Sequence, residues 1–459
     1  MNERIVVAGG DVVSMDPAIG DVAGGDVLVE DGRISQVGRG VDSANATVID
    51  AVGKIVIPGF VDTHRHTWQS QLRGLAVDCT APQYRKVIRH RFGPAYEPAD
   101  VYAGTLLGAL EALDCGITTL VDWAHIMNTP EHADASVAAL LDSGVRAVFA
   151  HGTPNGADAQ AWYERSELPH PSDIRRVRDR YFGDEHRLLT LAMGARPPHN
   201  VTPDVLRHDW HLARELGIRI TVDGVGRGRW SGLDHDDFGE LERAGLLGAD
   251  TTYVHGNQLT DGELRMMAAT GGTSSIAPEI EMNCGHGTPA TGRLVAAGVR
   301  PSLSTDVPAM CGPDMFTVMR MTLAAERMRL TRASDDGWPE SWHLGVRDVL
   351  EFATIAGARA CGLADRTGSL TPGKRADLVV IDRSGLNLTA VDDPVAAVVC
   401  FASVRDVDVV MVDGRLVKRA GRPVGDVDRA RELAVASRRS LCERSPDPAT
   451  GEAAYDWKW

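Results

Sequence analysis

The chain of 459 residues lacks the features that mark secreted, disulfide-rich or membrane-spanning proteins. Its seven cysteines are an odd number and include no C-x-x-C pair, so neither a disulfide framework nor a cysteine zinc site is expected. No apolar run reaches the roughly 20 residues that cross a bilayer. The N-terminus also lacks the long apolar segment and the cleavage site of a signal peptide. We therefore expect a cytoplasmic protein.

An excess of positive charge is also missing. The formal net charge is −15, whereas nucleic acids and anionic membranes attract basic surfaces, so neither is expected as a partner. A small-molecule substrate remains compatible with this charge. The apolar fraction of 43% and the charged fraction of 24% are ordinary for a globular protein, and the length suffices for a large core.

Both ends of the chain carry the pattern of short β-hairpins. Residues 26–34 and 408–416 each place an Asp-Gly turn between two apolar runs, and residues 376–382 form another apolar strand. Similar hairpins at both ends predict one β-sandwich domain with the middle of the chain inserted into it. The expected boundaries are 1–57 and 365–425 for the β-sandwich, 58–364 for the inserted domain, and 426–459 for a C-terminal helical segment and tail.

The inserted middle alternates strands with helices. Eight strands are predicted, at 55–63, 117–122, 145–150, 188–194, 218–223, 251–255, 273–277 and 299–305. The helical segments between them have readable ends, such as Thr202-Pro203 at a start and Gly217 at a stop. This alternation predicts an α/β fold, a parallel (β/α)8 barrel of the TIM type, whose active site lies at the C-terminal ends of its strands.

A pair of histidines ends the first predicted barrel strand. Side chains two apart on a strand share a face, so His64 and His66 can bind one metal ion. Asp306 ends the eighth strand, where a helix N-cap is the alternative interpretation. Two imidazoles and a carboxylate suit one divalent transition metal ion per chain, zinc before cobalt, iron or manganese.

Further polar residues fall at or near the other predicted strand ends: Asp122, His125, His151, Arg196, Asp223 and His255. Trp68 and Gln69 follow the histidine pair and are expected to line the pocket, although a packed tryptophan is a common alternative. His125 is expected to line the pocket or to hydrogen-bond the barrel rim.

These residues lie in motifs that resemble one enzyme superfamily. The segments PGFVDTHRH, GITTLVD, VHG, LVAAGVRPSLSTD and GSLTPGKRADLVVID are similar to those of the amidohydrolase superfamily, in its cytosine deaminase and triazine hydrolase branch. The resemblance implies a barrel with a β-sandwich built from both termini, and a homodimer by family analogy. It also implies a single metal ion held by His64, His66 and Asp306, with His255 beside it.

The sequence departs from that branch at three strand ends. The branch usually ends its fifth strand with a metal-binding histidine and places a proton-carrying glutamate three residues later. Here Asp223 and Gly226 occupy those two positions. Asp223 is either a further ligand, or a carboxylate that caps the following turn or pairs with Arg227 or Arg229. Arg196 replaces a substrate-contacting histidine, and Glu281 belongs to an Ile-Glu pair where Ser-Asn is usual.

Three functions remain open. Without a glutamate at Gly226, the first hypothesis is metal-dependent hydrolysis of an amide, urea or carbamate C–N bond in a small aromatic molecule, as in the similar phenylurea and thiocarbamate hydrolases. Asp306 would then relay the proton, His255 would stabilise the oxyanion, and Arg196 and Glu281 would contact substrate. The second is an aminohydrolase of a pyrimidine, purine or triazine. The third is a catalytically silent barrel.

Overall fold

The computed structural model describes residues 4–156, 159–183, 188–226, 235–334 and 338–445. Two sheets organise these residues. The first begins with five N-terminal strands: β1 (Arg4–Val13), β2 (Asp21–Glu30), β3 (Arg33–Gly38), β4 (Thr47–Asp50) and β5 (Lys54–Pro58). The second is a barrel of eight strands: β6 (Phe60–Arg65), β7 (Ile117–Ala124), β8 (Arg146–His151), β9 (Leu189–Ala195), β10 (Arg219–Val225), β11 (Thr251–His255), β12 (Thr273–Ile276) and β13 (Ser302–Leu303).

The C-terminal part of the chain completes the first sheet. It supplies β14 (Leu378–Asp382), β15 (Val407–Val412), β16 (Arg415–Arg419) and β17 (Arg422–Pro423), and the order is β17-β16-β15-β14-β5-β1-β2-β3 with β4 paired to β1. Strand β14 runs antiparallel to β5, so the two termini meet in the middle of the sheet. The predicted fold class, a barrel with a β-domain built from both termini, is confirmed.

Helices surround the barrel and follow its strands. They are α1 (Ala81–Tyr84), α2 (Pro98–Asp114), α3 (Pro130–Ser143), α4 (Asp173–Tyr181), α5 (Pro203–Glu215), α6 (Asp237–Arg243), α7 (Asp261–Ala269), α8 (Pro278–Asn283), α9 (Thr291–Ala296), α10 (Met315–Ala333), α11 (Val346–Phe352), α12 (Ile355–Ala360), α13 (Pro394–Ala396) and α14 (Val427–Arg444). A π-helical turn, Arg85–Phe92, extends α1. Within the described ranges, no helix combines the length and apolar character needed to cross a bilayer.

The two sheets are joined by a very short connection. Gly59 separates β5 from β6, and a Cβ at this position would lie 2.0 Å from the Thr118 Oγ1 of the neighbouring barrel strand. A side chain here would force the sheets apart. The predicted strand 55–63 is therefore two strands in two different sheets.

Hydrogen bonds between the first and last strands close the barrel. All neighbouring barrel strands are parallel, and β13 is only two residues long. Beyond its end, the Asp306 backbone N–H donates to the His64 carbonyl (3.0 Å), and the His66 N–H donates to the Asp306 carbonyl (2.9 Å). The closure therefore places the side chains of these three residues at one point of the rim.

Candidate active site

Five potential metal ligands meet at the C-terminal end of the barrel. They form two overlapping groups, His64 with His66 and Asp223, and His64 with His255 and Asp306. Within each group the ligand atoms lie within 4.8 Å of one another. Asp306 Oδ1 is 3.2 Å from His64 Nε2 and 3.3 Å from His66 Nε2, and Asp306 Oδ2 is 3.5 Å from His255 Nε2. Asp223 Oδ1 lies 3.4 Å from the same His255 nitrogen.

Unusual backbone conformations turn two of these side chains into the cluster. His255 has φ +76° and Asp306 has φ +60°, both in the left-handed region that residues other than glycine rarely adopt. Such conformations cost roughly 1–3 kcal/mol and persist where the surrounding structure enforces them. For Asp306, the two backbone hydrogen bonds to β6 provide that constraint.

The hydrogen bonds of the imidazoles fix where their protons lie. His66 Nδ1 is 3.0 Å from the Trp123 carbonyl, and His255 Nδ1 is 3.0 Å from Glu281 Oε1. Both partners are acceptors, so each Nδ1 carries the proton and each Nε2 presents a lone pair in the neutral ring. The Nε2 atoms of His66 and His255 face the Asp306 carboxylate oxygens at 3.3 and 3.5 Å, and in the neutral rings neither Nε2 carries a hydrogen to donate to them.

This donor set fits a divalent cation. Facing lone pairs and carboxylate oxygens repel one another unless a positive charge lies between them, and His–Asp sets are typical ligands of zinc and similar ions. Neither ring nitrogen of His64 has a hydrogen-bond partner among the described residues, although both are buried. Burial favours the neutral acid, but positive charge on the facing imidazoles, His64 above all and then His66 and His255, holds the pKa of Asp306 well below its ordinary value. A bound cation would supply that charge while the rings stay neutral. Asp306 is thus an anion ready to bind a cation.

A cavity opens beside the cluster. Its polar lining comprises His66, Tyr84, Arg85, Arg89, His125, Asp223, His286 and Asp306. Trp68 Nε1 donates to His125 Nδ1 (3.2 Å), so the proton of His125 lies on Nε2 and is available to a ligand. Burial, followed by nearby His66 and Arg89, lowers the pKa of His125 well below its ordinary value, which keeps the ring neutral.

Several residues predicted to contact substrate are not among those that line the cavity. Arg196 is buried and donates to Asp209 Oδ2 in α5 (3.0 Å) and to the Leu168 carbonyl (2.7 Å), so it joins this helix to the loop that contains Leu168. Trp68 and Gln69 are fully buried and hold His125 and Tyr84 in place; Gln69 Nε2 donates to the Tyr84 hydroxyl at 2.6 Å. Among the residues predicted to contact substrate, His125 lines the cavity.

The carboxylate of Glu281 lies against His255. Its carboxylate accepts hydrogen bonds from His255 Nδ1 (3.0 Å), from the Ala277 N–H (2.9 Å) and from Asn257 Nδ2 (3.1 Å). Through these hydrogen bonds the Glu281 carboxylate orients the His255 ring. Sequence reasoning missed Tyr84, Arg85 and Arg89, for which the only signal was a helix start with basic residues four apart.

The fifth strand end lacks the glutamate usual in this superfamily. Gly226 has φ +81°, and a Cβ there would lie 3.0 Å from Leu259 Cδ2. Its N–H donates to Asp237 Oδ2 (2.7 Å), so the backbone is held in this turn. Arg227 and Arg229, the alternative partners predicted for Asp223, lie outside the described residues.

The barrel, the terminal β-domain and the His–Asp cluster together define a metal-dependent hydrolase. Residues 55–417 match the model of the amidohydrolase family, and the chain belongs to that family. The predictions of the superfamily and of an enzyme acting on C–N bonds are confirmed.

The chain is similar to several characterised deaminases. It is 32% identical over 434 residues to a 5-methylthioadenosine/S-adenosylhomocysteine deaminase of Symbiobacterium thermophilum, covering 90% of this chain and 93% of the relative. It is 30% identical over 432 residues to a 5′-deoxyadenosine deaminase of Methanothermobacter thermautotrophicus, covering 92% and 94% of the two chains.

Solved structures of zinc enzymes share the fold. An adenosine deaminase from Xanthomonas campestris with bound zinc superposes with a TM-score of 0.81 at 23% identity, covering 96% of this chain and 98% of that one. An atrazine chlorohydrolase from Arthrobacter aurescens TC1 complexed with zinc superposes with a TM-score of 0.79 at 21% identity, covering 95% and 100%. At these identities the likeness concerns the fold.

Proposed function

We propose that the protein is a hydrolytic deaminase that releases ammonia from an amino-substituted N-heterocycle, such as a purine, pyrimidine or triazine. The observation that carries this proposal is the similarity, over nine-tenths of the chain, to relatives that deaminate adenine nucleosides. In this reaction water adds to the ring carbon that bears the amino group. The C–N bond then breaks, and ammonia leaves with a proton that came from the water.

The proposed metal centre is formed by His64, His66, Asp306 and His255, with zinc as the expected ion. When bound, a divalent ion makes a water molecule sufficiently acidic to act as a nucleophile near neutral pH. Asp306 then accepts the proton of that water, and Glu281 holds His255 in the tautomer that presents Nε2 to the centre. His125 donates a hydrogen bond from Nε2 to an acceptor on the heterocycle.

Asp223 has two possible roles in this proposal. It lies in the same cluster as His64 and His66, so it can be a fifth ligand. It is also the second carboxylate that lines the cavity, and deamination needs a group that passes a proton to the departing amine. In the second role it would replace the glutamate that is missing at Gly226.

Product analysis tests the proposal against its main competitor. Hydrolysis of an amide, urea or carbamate remains a second candidate, because it does not need an acid at the Gly226 position. The zinc-loaded protein should release ammonia from a panel of amino-purines, amino-pyrimidines and amino-triazines. Release of an arylamine or alkylamine from phenylureas or carbamates, without ammonia from the panel, would instead support the second candidate.

Metal binding tests the silent-barrel alternative. The proposed centre should take up close to one equivalent of zinc, cobalt or manganese per chain, because its ligands are already assembled. Binding below about half an equivalent, with no turnover after any of these metals is added, would favour a barrel without catalysis.

A further inference from the structure

The segment from Ala81 to Phe92 brings two arginines to the cavity that the proposed reaction does not use. It begins as α1, where the Thr80 N–H donates to Gln83 Oε1 (2.8 Å), and continues as the π-helical turn. Arg85 and Arg89 are four residues apart, so they lie on the same side of the segment, and both line the cavity. π-helical turns are rare and recur at functional sites.

Arg89 is held in place by contacts that include no counter-ion among the described residues. Its guanidinium stacks on the Tyr163 ring at 4.4 Å, and its backbone carbonyl accepts a hydrogen bond from Asn155 Nδ2 (3.2 Å). Its Nε is buried and has no hydrogen-bond partner among the described residues. Over the same residues, no carboxylate lies within ion-pair distance of Arg89. A partly buried guanidinium in this state is prepared to receive an anion.

The remaining cavity lining is also rich in hydrogen-bond donors. Burial raises the pKa of Tyr84 far above its ordinary value, so its hydroxyl stays protonated, and His125 is a neutral donor through Nε2. The two carboxylates of the lining, Asp223 and Asp306, belong to the proposed metal centre, where a divalent ion would balance their charge. The part of the cavity away from that centre therefore favours oxygen acceptors and negative charge.

We propose that Arg89, assisted by Arg85, binds a carboxylate or phosphate group of the substrate. A planar guanidinium can pair with either oxyanion through two parallel hydrogen bonds, which fixes the orientation of the bound molecule. Resting on the proposed deamination, this inference narrows the substrate class to amino-substituted N-heterocycles that carry an anionic oxygen group. The anion-binding site itself depends only on the geometry of Arg89 and the cavity.

Calorimetric titration of the full-length protein with three matched probes tests the site. The probes are adenosine, adenosine 5′-carboxylate and adenosine 5′-monophosphate, which share one ring and differ in the 5′ group. At least one anionic probe should bind roughly 10- to 100-fold more tightly than adenosine, the usual strength of a charged hydrogen bond. Which of the two binds more tightly identifies the oxyanion.

Three variants assign the preference to Arg89. Arg89→Gln should abolish most of the ratio between anionic and neutral probes, whereas Arg89→Lys, which keeps the charge, should retain part of it. Arg91→Gln is the matched control, because Arg91 lies on the same turn but donates to the Ser445 carbonyl (2.9 Å). Its preference should equal that of the unmodified protein.

The outcomes separate this proposal from the deaminase proposal. The anion site would be overturned if the three probes bound equally or if the anionic probes did not bind. It would also be overturned if Arg89→Gln kept the preference for anionic probes. Ammonia release is measured in parallel on the same proteins. If the protein prefers anionic probes but releases no ammonia from any heterocycle, the deaminase proposal is contradicted and the anion site is supported. If it releases ammonia but shows no such preference, the anion site is contradicted and the deaminase proposal is supported.

Discussion

The mouth of the barrel has two sides that differ in how closely they follow the pattern of the amidohydrolase family. The ligand side, His64, His66 and Asp306, carries the expected residues, and the backbone hydrogen bonds of barrel closure join it. The variable side, Asp223, Gly226 and the His255–Glu281 pair, departs from the pattern at two of its strand ends. We expect metal binding to depend mainly on the ligand side and the choice of the broken bond to depend on the variable side.

The largest expected effect comes from the ligand side. His64→Ala or Asp306→Ala should abolish both metal retention and turnover, because each removes a donor at the centre of the cluster and leaves buried polar groups without a cation. Metal analysis and ammonia release are the measurements. Either variant keeping full metal content would contradict the assignment of the ligand side.

A smaller effect is expected at His255. Alanine at this position should lower kcat/KM by roughly 10²–10³, the typical cost of losing one group at the reacting atoms. Because Glu281 fixes the proton on Nδ1, Nε2 acts as an acceptor, and metal affinity should fall together with activity. If the variant lost activity but kept its metal, His255 would instead act as a protonated donor.

Glu281→Gln tests the positioning role of this carboxylate. The amide can donate to His255 Nδ1 and so favours the other tautomer, which should lower metal affinity or activity by roughly 10- to 100-fold. Competition with a metal chelator provides the readout beside turnover. A loss confined to KM, with metal affinity unchanged, would restore the substrate contact predicted from the sequence.

Asp223→His tests whether residue 223, on the variable side, faces the metal ion. An imidazole at this position should tighten zinc binding by about tenfold if residue 223 reaches the centre, since it restores the ligand usual in the family. Unchanged affinity with reduced ammonia release would assign Asp223 to proton transfer. Asp223→Asn is the matched control, because it removes the charge and keeps the size.

The smallest effect concerns buried histidines outside both sides. Burial, and then the neighbouring His151 ring at 3.1 Å, lowers the pKa of His170 well below its ordinary value. The unfolded chain therefore takes up a proton near pH 6.5 that the folded chain does not, and stability falls as the pH drops below that value. The loss is about 1.4 kcal/mol per pH unit.

Urea unfolding at pH 8.0 and pH 5.5 measures this loss. His170→Asn should be less sensitive to acid than the unmodified protein. Equal acid sensitivity of the two proteins would show that His170 is protonated in the fold. The result shows how much of the acid-dependent loss of stability comes from His170, which lies outside the ligand side.

The sequence predicts the architecture well because apolar periodicity and glycine stops are local signals. Strand β11 occupies the predicted residues 251–255, and the other strand bounds shift by a few residues. The clearest failures have physical causes: Gly59 divides 55–63 between two sheets, and β13 shortens to two residues where Asp306 turns toward β6.

The candidate site is less predictable, because contacts distant along the chain create it. Strand ends identify His64, His66 and Asp306 as neighbours, since a closed barrel brings its first and last strands together. No local pattern shows that Glu281 accepts from His255, or that Arg196 pairs with Asp209. Arg89 likewise reaches the cavity from a segment that the strand-end rule does not include.

Anomalous diffraction from the zinc-loaded protein tests the central claim most directly. Data collected on the two sides of the zinc absorption edge should show one peak at the barrel mouth, with His64, His66, Asp306 and His255 as ligands. A barrel mouth without a peak, or a zinc ion bound elsewhere while His64 and Asp306 keep their mutual contact, would contradict the account.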